Sequence, residues 1–110
     1  MPPRTPPTAE AARRHTAYFT DFARVADEAM RGPDQLLWAA RVEADLDNIR
    51  AVLRRTIDAG AADDGIALAL AMGWFWWLRN FRDEAREWLV RLIALANFRT
   101  IPAPPASGPG

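Results

Sequence analysis

The stretch Ile66–Arg91, IALALAMGWFWWLRNFRDEAREWLVR, decides how this chain folds. It holds four of the five tryptophans, and its first half, Ile66 to Leu78, runs thirteen residues without a charge. As a helix those thirteen residues reach about 20 Å at roughly 1.5 Å per residue. A membrane span needs about twenty apolar residues, so a buried helix is the expected form. The third helix is placed from a cap at Asp63 or Asp64 to about Arg79. Being apolar nearly all round, it must be covered on more than one side. Asn80 follows, the residue type after Gly that best tolerates a left-handed turn. The fourth helix, Arg82 to Ala96, is amphipathic: Ala85, Trp88, Leu89, Leu92 and Ala96 form its apolar stripe. Helix, tight turn, helix is the reading, with an aromatic seam between the two.

Working toward the N-terminus, the second helix is expected from Pro33 to about Ala59, since proline at the first helical position sacrifices no hydrogen bond. Its apolar stripe is Leu36, Leu37, Ala40, Val42, Leu46, Ile49, Leu53 and Ile57. Glu43, Asp47, Arg50 and Arg54 form a polar row with acids first and bases last, an order that suits both side-chain pairing and the helix dipole. Gly60 is read as the left-handed residue that ends this helix. Thr8 is read as the cap of a first helix, Ala9 to Met30. The stripe there is His15, Tyr18, Phe19, Phe22, Val25, Ala26 and Ala29. No segment shows the two-residue alternation of a strand, so the fold is all-α. Residues 1–7, with four prolines, are expected to be disordered; residues 8–97 form one four-helix domain; residues 98–110 are a Pro/Gly-rich flexible tail.

Composition removes most chemistry. The 110 residues suffice for one small domain. All fourteen basic residues are Arg, balanced by fourteen carboxylates, so net charge supplies no attraction to nucleic acid or a membrane surface. Without Lys there is neither a P-loop lysine nor a Schiff base. Without Cys there is no disulfide, no thiolate nucleophile and no Cys-ligated zinc. His15 is the sole histidine and Ser107 the sole serine, the latter in the tail. The acidic spots Asp63-Asp64 and Glu43/Asp47 read as a helix start and a solvated face. Arg13-Arg14 and Arg54-Arg55 are isolated doublets, and the last helix is charge-balanced, unlike a DNA-reading helix. No enzyme activity, cofactor, metal, direct nucleic-acid contact or membrane span is expected. The N-terminus has no apolar core of a signal peptide, so the cytoplasm is the expected compartment.

What is left is recognition. Trp74 and Trp77, three apart, share a helix face with Leu70 one turn earlier, and the run of aromatics after Trp74 cannot all enter one seam. From Ala69 to Asn97 the spacing resembles a tetratricopeptide repeat. Its small and large positions fall on Ala69, Met72, Gly73, Trp76, Asn80, Ala85, Leu89 and Leu92. Asn80 stands where that repeat has a turn glycine, and its final proline is missing at Asn97. The resemblance implies two antiparallel helical hairpins stacked into a short TPR-like solenoid. It also implies close helix approach at Gly73 and Ala85, inter-helix core at Met72, Trp76, Leu89 and Leu92, and a partner-binding face of Ala67, Leu70, Trp74 and Trp77 with Arg79 on its rim.

A narrower resemblance covers about residues 12–96. RRHTAYFTDFA, GPDQLLWAARVEADLDNIRAVLR and ALAMGWFWWLRNFRDEAREWL are similar to the helical region of actinobacterial LuxR-type and SARP-like transcriptional regulators, where it follows an NB-ARC (STAND) ATPase. This chain carries no P-loop, ATPase domain or DNA-binding domain, so only the adaptor role is implied. The expected function is a protein–protein interaction module, a detached or truncated regulatory region. Its expected partner is a protein or peptide such as a neighbouring NB-ARC domain or further repeats. Homodimerisation and an inactive reading-frame fragment are the alternatives.

Overall fold

The computed structural model describes the backbone of residues 9–100 and the side chains of residues 9–98. Within them the chain is all-α, with no strand: α1 (Ala9–Ala29), α2 (Gln35–Ala44), α3 (Leu46–Asp58), α4 (Ala62–Ala71), α5 (Gly73–Leu78) and α6 (Arg82–Thr100). The expected second and third helices are each divided by one residue, Asp45 and Met72, with ψ near zero. The hydrogen-bond ladder nevertheless runs on. Asp45 N–H is shared between the carbonyls of Arg41 (3.3 Å) and Val42 (3.1 Å), and Ile49 N–H returns to Asp45 O at 2.9 Å. Met72 N–H reaches Leu68 O at 3.1 Å and Trp76 N–H reaches Met72 O at 3.0 Å. At Asp45 one donor is shared between two carbonyls, as in a tightened turn, and just past Met72 the Trp74 N–H leaves the ladder to donate to Asp27 Oδ1 at 3.0 Å.

α4 is the hub. It packs on α1, α3 and α6, so Ala62, Gly65, Leu68 and Ala69 are all buried. That three-sided cover is what an all-round apolar helix requires. Gly65 sits where α3, α4 and α6 converge: a Cβ there would be 2.5 Å from Thr56 Oγ1 and would collide with Leu92 Cδ2. Gly73, expected to be the close-approach glycine, is open instead; a Cβ there meets nothing within 4 Å. The core around this hub includes Phe75, Ile49, Val52, Leu53, Met72, Trp76, Trp88 and Leu92.

Both turns read from the sequence are left-handed. Gly60 has φ +72° and Asn80 has φ +61°. At each, two bonds close a Schellman motif. Gly60 N–H donates to Ile57 O (3.1 Å) and Ala61 N–H to Thr56 O (2.8 Å). Asn80 N–H donates to Trp77 O (3.2 Å) and Phe81 N–H to Trp76 O (2.7 Å). The apolar contact that accompanies this motif is also made: Phe81 meets Trp76 edge-on at 6.5 Å between centroids. Gly60→Ala is expected to cost about 1–2 kcal/mol through the left-handed penalty alone, because nothing lies within 4 Å of the added methyl. Urea unfolding measures it.

Several expectations need correction. Asp63 and Asp64 lie inside the first turn of α4; the cap position is Ala61, and no side chain caps it. The carboxylates there act on the helix dipole instead. The second helix starts at Gln35, not Pro33, and Leu36 and Leu37 are exposed. The fourth helix continues past Ala96 to Thr100, so residues 98–100 belong to a helix rather than to a tail. The expectations for residues 1–7, Thr8 and residues 101–110 lie outside the described residues. On α1 the buried face is Thr16, Phe19, Thr20, Ala23 and Ala26, while His15, Tyr18 and Val25 are exposed. The two threonines satisfy their hydroxyls inside the helix: Thr16 Oγ1 donates to Ala12 O (3.0 Å) and Thr20 Oγ1 to Thr16 O (2.9 Å). A threonine bonded in this way can face the core. Its short side chain then suits the close approach of α1 to α4.

Candidate functional site

The residues proposed for partner contact fall into four environments. Leu70 on α4 and Trp77 on α5 lie together on a groove between α4–α5 and α6. Trp74 is half-buried and locked: its indole N–H donates to Met30 O (3.0 Å), and its backbone N–H donates to Asp27 Oδ1 (3.0 Å). Arg31, itself paired with Asp27 at 2.9 Å, lies over its ring. Trp74 therefore ties α5 to the end of α1, although its ring still touches that of Trp77, 5.1 Å away. Ala67 faces a separate cleft beside α1, with Thr16, Thr20 and Asp64. Arg79 pairs with Glu43 of α2 at 3.4 Å, which spends one of the carboxylates expected to serve the polar row of the second helix.

The groove itself measures about 430 Å³. Its floor is Ala69, Gly73, Trp76, Ala85 and Leu89; its walls are Leu70 and Trp77 on one side and Val90 and Ile93 on the other. Leu70 is 61% exposed, Val90 58%, Trp77 53% and Ile93 48%. Four large apolar side chains left half in water along one seam form a patch rather than scattered surface residues. Trp76 closes the floor: its indole N–H donates to Ala69 O at 3.1 Å, so the ring is fixed and its polar atom is satisfied. Arg82 and Arg86 stand on the rim, and no carboxylate lines the groove.

The other side of α6 is built quite differently. Arg50 of α3 makes a two-pronged bond to Glu84, Nε to Oε2 at 2.8 Å and Nη2 to Oε1 at 2.6 Å. Trp88 Nε1 adds a third donor to Glu84 Oε2 at 3.0 Å, and Asp47 adds a second carboxylate to Arg50 at 3.2 Å. The bond to Arg50 holds the Glu84 carboxyl below its usual range, against a smaller opposing effect of burial. Arg50 is shifted upward by the same bond. Two partly buried groups separated by 34 residues are thus clamped, and sequence spacing gives no sign of it. Because the folded carboxyl titrates below its unfolded value, its contribution is fully present above about pH 4.5 and is lost as pH falls further. Glu84→Gln is expected to cost about 1–2 kcal/mol at pH 7, within the range of charge-assisted hydrogen bonds. It should also flatten the acid limb of a stability–pH profile measured by urea unfolding.

A third region, a cleft of about 380 Å³ between α1, α3 and the start of α4, holds Arg13, Arg55, Thr16, Thr56 and Asp64. Arg55 Nη2 donates to His15 Nδ1 at 2.6 Å, which occupies the sole histidine with a structural bond. No group of three or more metal-ligating side chains occurs among the described residues. No helix among them is long and apolar enough to cross a membrane. In comparisons with known proteins, no family model, no curated protein and no solved structure matches the chain.

Proposed function

We propose that this chain is a non-catalytic protein–protein interaction module, of the kind found in the regulatory helical region of bacterial NB-ARC/TPR transcriptional regulators. The observation that carries the proposal is the groove between α4–α5 and α6, with Leu70, Trp77, Val90 and Ile93 open to solvent above a floor closed by Trp76. Tryptophan and aliphatic anchors in a central pocket are the side chains that contribute most at interfaces. A helical-repeat reading is supported by the neighbours of α4, which touches both arms of the preceding hairpin, α1 and α3, as well as its own partner α6. In a solenoid of such repeats the last helix leaves one face for the next element, and the groove lies along α6.

The reading is tested by retention of a partner from the producing cell. Wild-type chain should hold a discrete protein that the doubly substituted Leu70→Asp, Ile93→Asp chain releases, with helical content unchanged by circular dichroism. Equal retention by both would defeat the proposal. The flanking DNA tests the regulatory assignment: a P-loop ATPase reading frame in the same orientation is expected, and a complete, unrelated operon would contradict it.

A second reading, self-association, is favoured by further apolar side chains left in water. Tyr18 and Val25 of α1 and Leu36 and Leu37 of α2 are all more than half exposed. Sedimentation across a hundredfold range of concentration separates the two. A strict monomer removes self-association.

A further inference from the structure

The groove's occupant has a definite charge. Along α6 the charged side chains are sorted by face: Asp83, Glu84 and Glu87 turn to the α3 side with Arg50, Arg54 and Arg91, while Arg82 and Arg86 stand over the groove. Arg82 and Arg86 are one turn apart, a like-charge pair that disfavours the isolated helix. Arg82 also opens α6, where a positive side chain adds to the positive end of the helix dipole instead of opposing it. Arg82 and Arg86 have no ion pair within the described residues, as is also true of Arg13, Arg41, Arg54, Arg55 and Arg91, whereas Arg14, Arg24, Arg31 and Arg79 each have one and Arg50 has two. The far end of the groove, at Val90 and Ile93, carries no charge. We propose, resting on the interaction reading above, that the groove accepts an acidic amphipathic helix, its apolar side chains seated between Leu70, Trp77, Val90 and Ile93 and its carboxylates placed on Arg82 and Arg86.

The dimensions suit that occupant. From Arg82 to Ile93 the groove follows α6 for roughly 17 Å at about 1.5 Å per residue, the length of about three helical turns. A helix laid there presents apolar anchors at i, i+3, i+4 and i+7, the usual mode of helix-in-groove recognition. A second copy of this chain is a poorer occupant by charge if it docks through the same face, because it would bring its own Arg82 and Arg86 and no carboxylate.

Three labelled synthetic helices test the proposal by fluorescence anisotropy on the full chain. They share one leucine pattern and differ only in flanking residues: glutamate, glutamine or arginine. The glutamate helix should bind about tenfold more tightly than the glutamine one in low salt, as expected for two rim ion pairs, and the difference should shrink at high salt. The arginine helix should be weakest, and Arg82→Glu with Arg86→Glu should invert the order. Equal binding of all three would overturn the charge assignment while leaving the apolar groove as a docking site. Binding of none would overturn the groove reading itself. Phosphatidylglycerol vesicles that bind as well as the glutamate helix would replace it with a lipid surface. A dimer that Leu70→Asp dissolves would replace it with a second copy.

Discussion

Gly65→Val is expected to destabilise the chain by about 3 kcal/mol, the upper part of the range for forcing extra atoms into a packed core. The substituted side chain would enter the point where three helices meet. Even a single Cβ there lies 2.5 Å from Thr56 Oγ1 and overlaps Leu92. Both neighbours are held within the core. Thr56 is buried, with its hydroxyl bonded to Leu53 O at 2.6 Å, and Leu92 is fully buried. Ordinary helix propensity would make Gly→Ala favourable by about 0.8–1 kcal/mol. The crowding should reverse that sign for Gly65→Ala and deepen the loss for Val. Gly73→Ala supplies the contrast, since its methyl enters open space and should stabilise by a few tenths to about 1 kcal/mol. Thermal unfolding of the three variants would show it; a shift of several degrees accompanies each kcal/mol in a domain of this size. A neutral Gly65→Val would mean that α4 is not pressed between α3 and α6.

The second large effect divides two adjacent tryptophans. Trp74→Ala should cost about 2–4 kcal/mol, somewhat below the usual range for fully buried aromatics because its ring is only half-buried. Its loss leaves Met30 O without the indole donor and removes the ring beneath Arg31. Trp77→Ala should change stability by less than about 1 kcal/mol, as for other exposed positions. It should nonetheless weaken whatever occupies the groove. Chemical denaturation of each single variant, with binding of the glutamate helix measured alongside, separates the two roles. Equal destabilisation by both substitutions would contradict this division.

How much of this could be read from the chain depends on how local its cause is. Gly60 and Asn80 were legible because a left-handed residue between two helical runs is a local demand with few residue types that meet it. The burial of α4 was legible because an uninterrupted apolar run leaves no polar face to point at water. The face of α1 was not, since its buried positions include Thr16 and Thr20, which look polar until their hydroxyls are seen bonded to carbonyls one turn back. The repeat spacing marks Gly73, which is open, and not Gly65, where only the convergence of α3 and α6 leaves no room for a side chain. The Arg50–Glu84 clamp and the anchor of Trp74 on Met30 join residues 34 and 44 positions apart. Helical periodicity carries no information at that range.

The candidate site was legible in half. Leu70 and Trp77 share a helix face that the sequence spacing gives, whereas Val90 and Ile93, which make the other wall, lie outside the α6 stripe that includes Leu89 and Leu92. An amphipathic stripe identifies the side of a helix that packs within its own domain. It says nothing of a second apolar edge left for another molecule, and here that edge adjoins the stripe.

The central claim, that the α4–α5/α6 groove is the surface that meets a partner, is tested most directly by the indole N–H signals of the five tryptophans in a nitrogen-15 NMR titration with the glutamate helix. Trp74, Trp76 and Trp88 have their indole N–H groups bonded to Met30 O, Ala69 O and Glu84. Trp38 lies away from the groove, on α2 beneath Arg41. The account predicts that the Trp77 signal moves most, with those of Trp38 and Trp88 unmoved. A shift largest at Trp38, or a bound helix that leaves Trp77 unchanged, would contradict it.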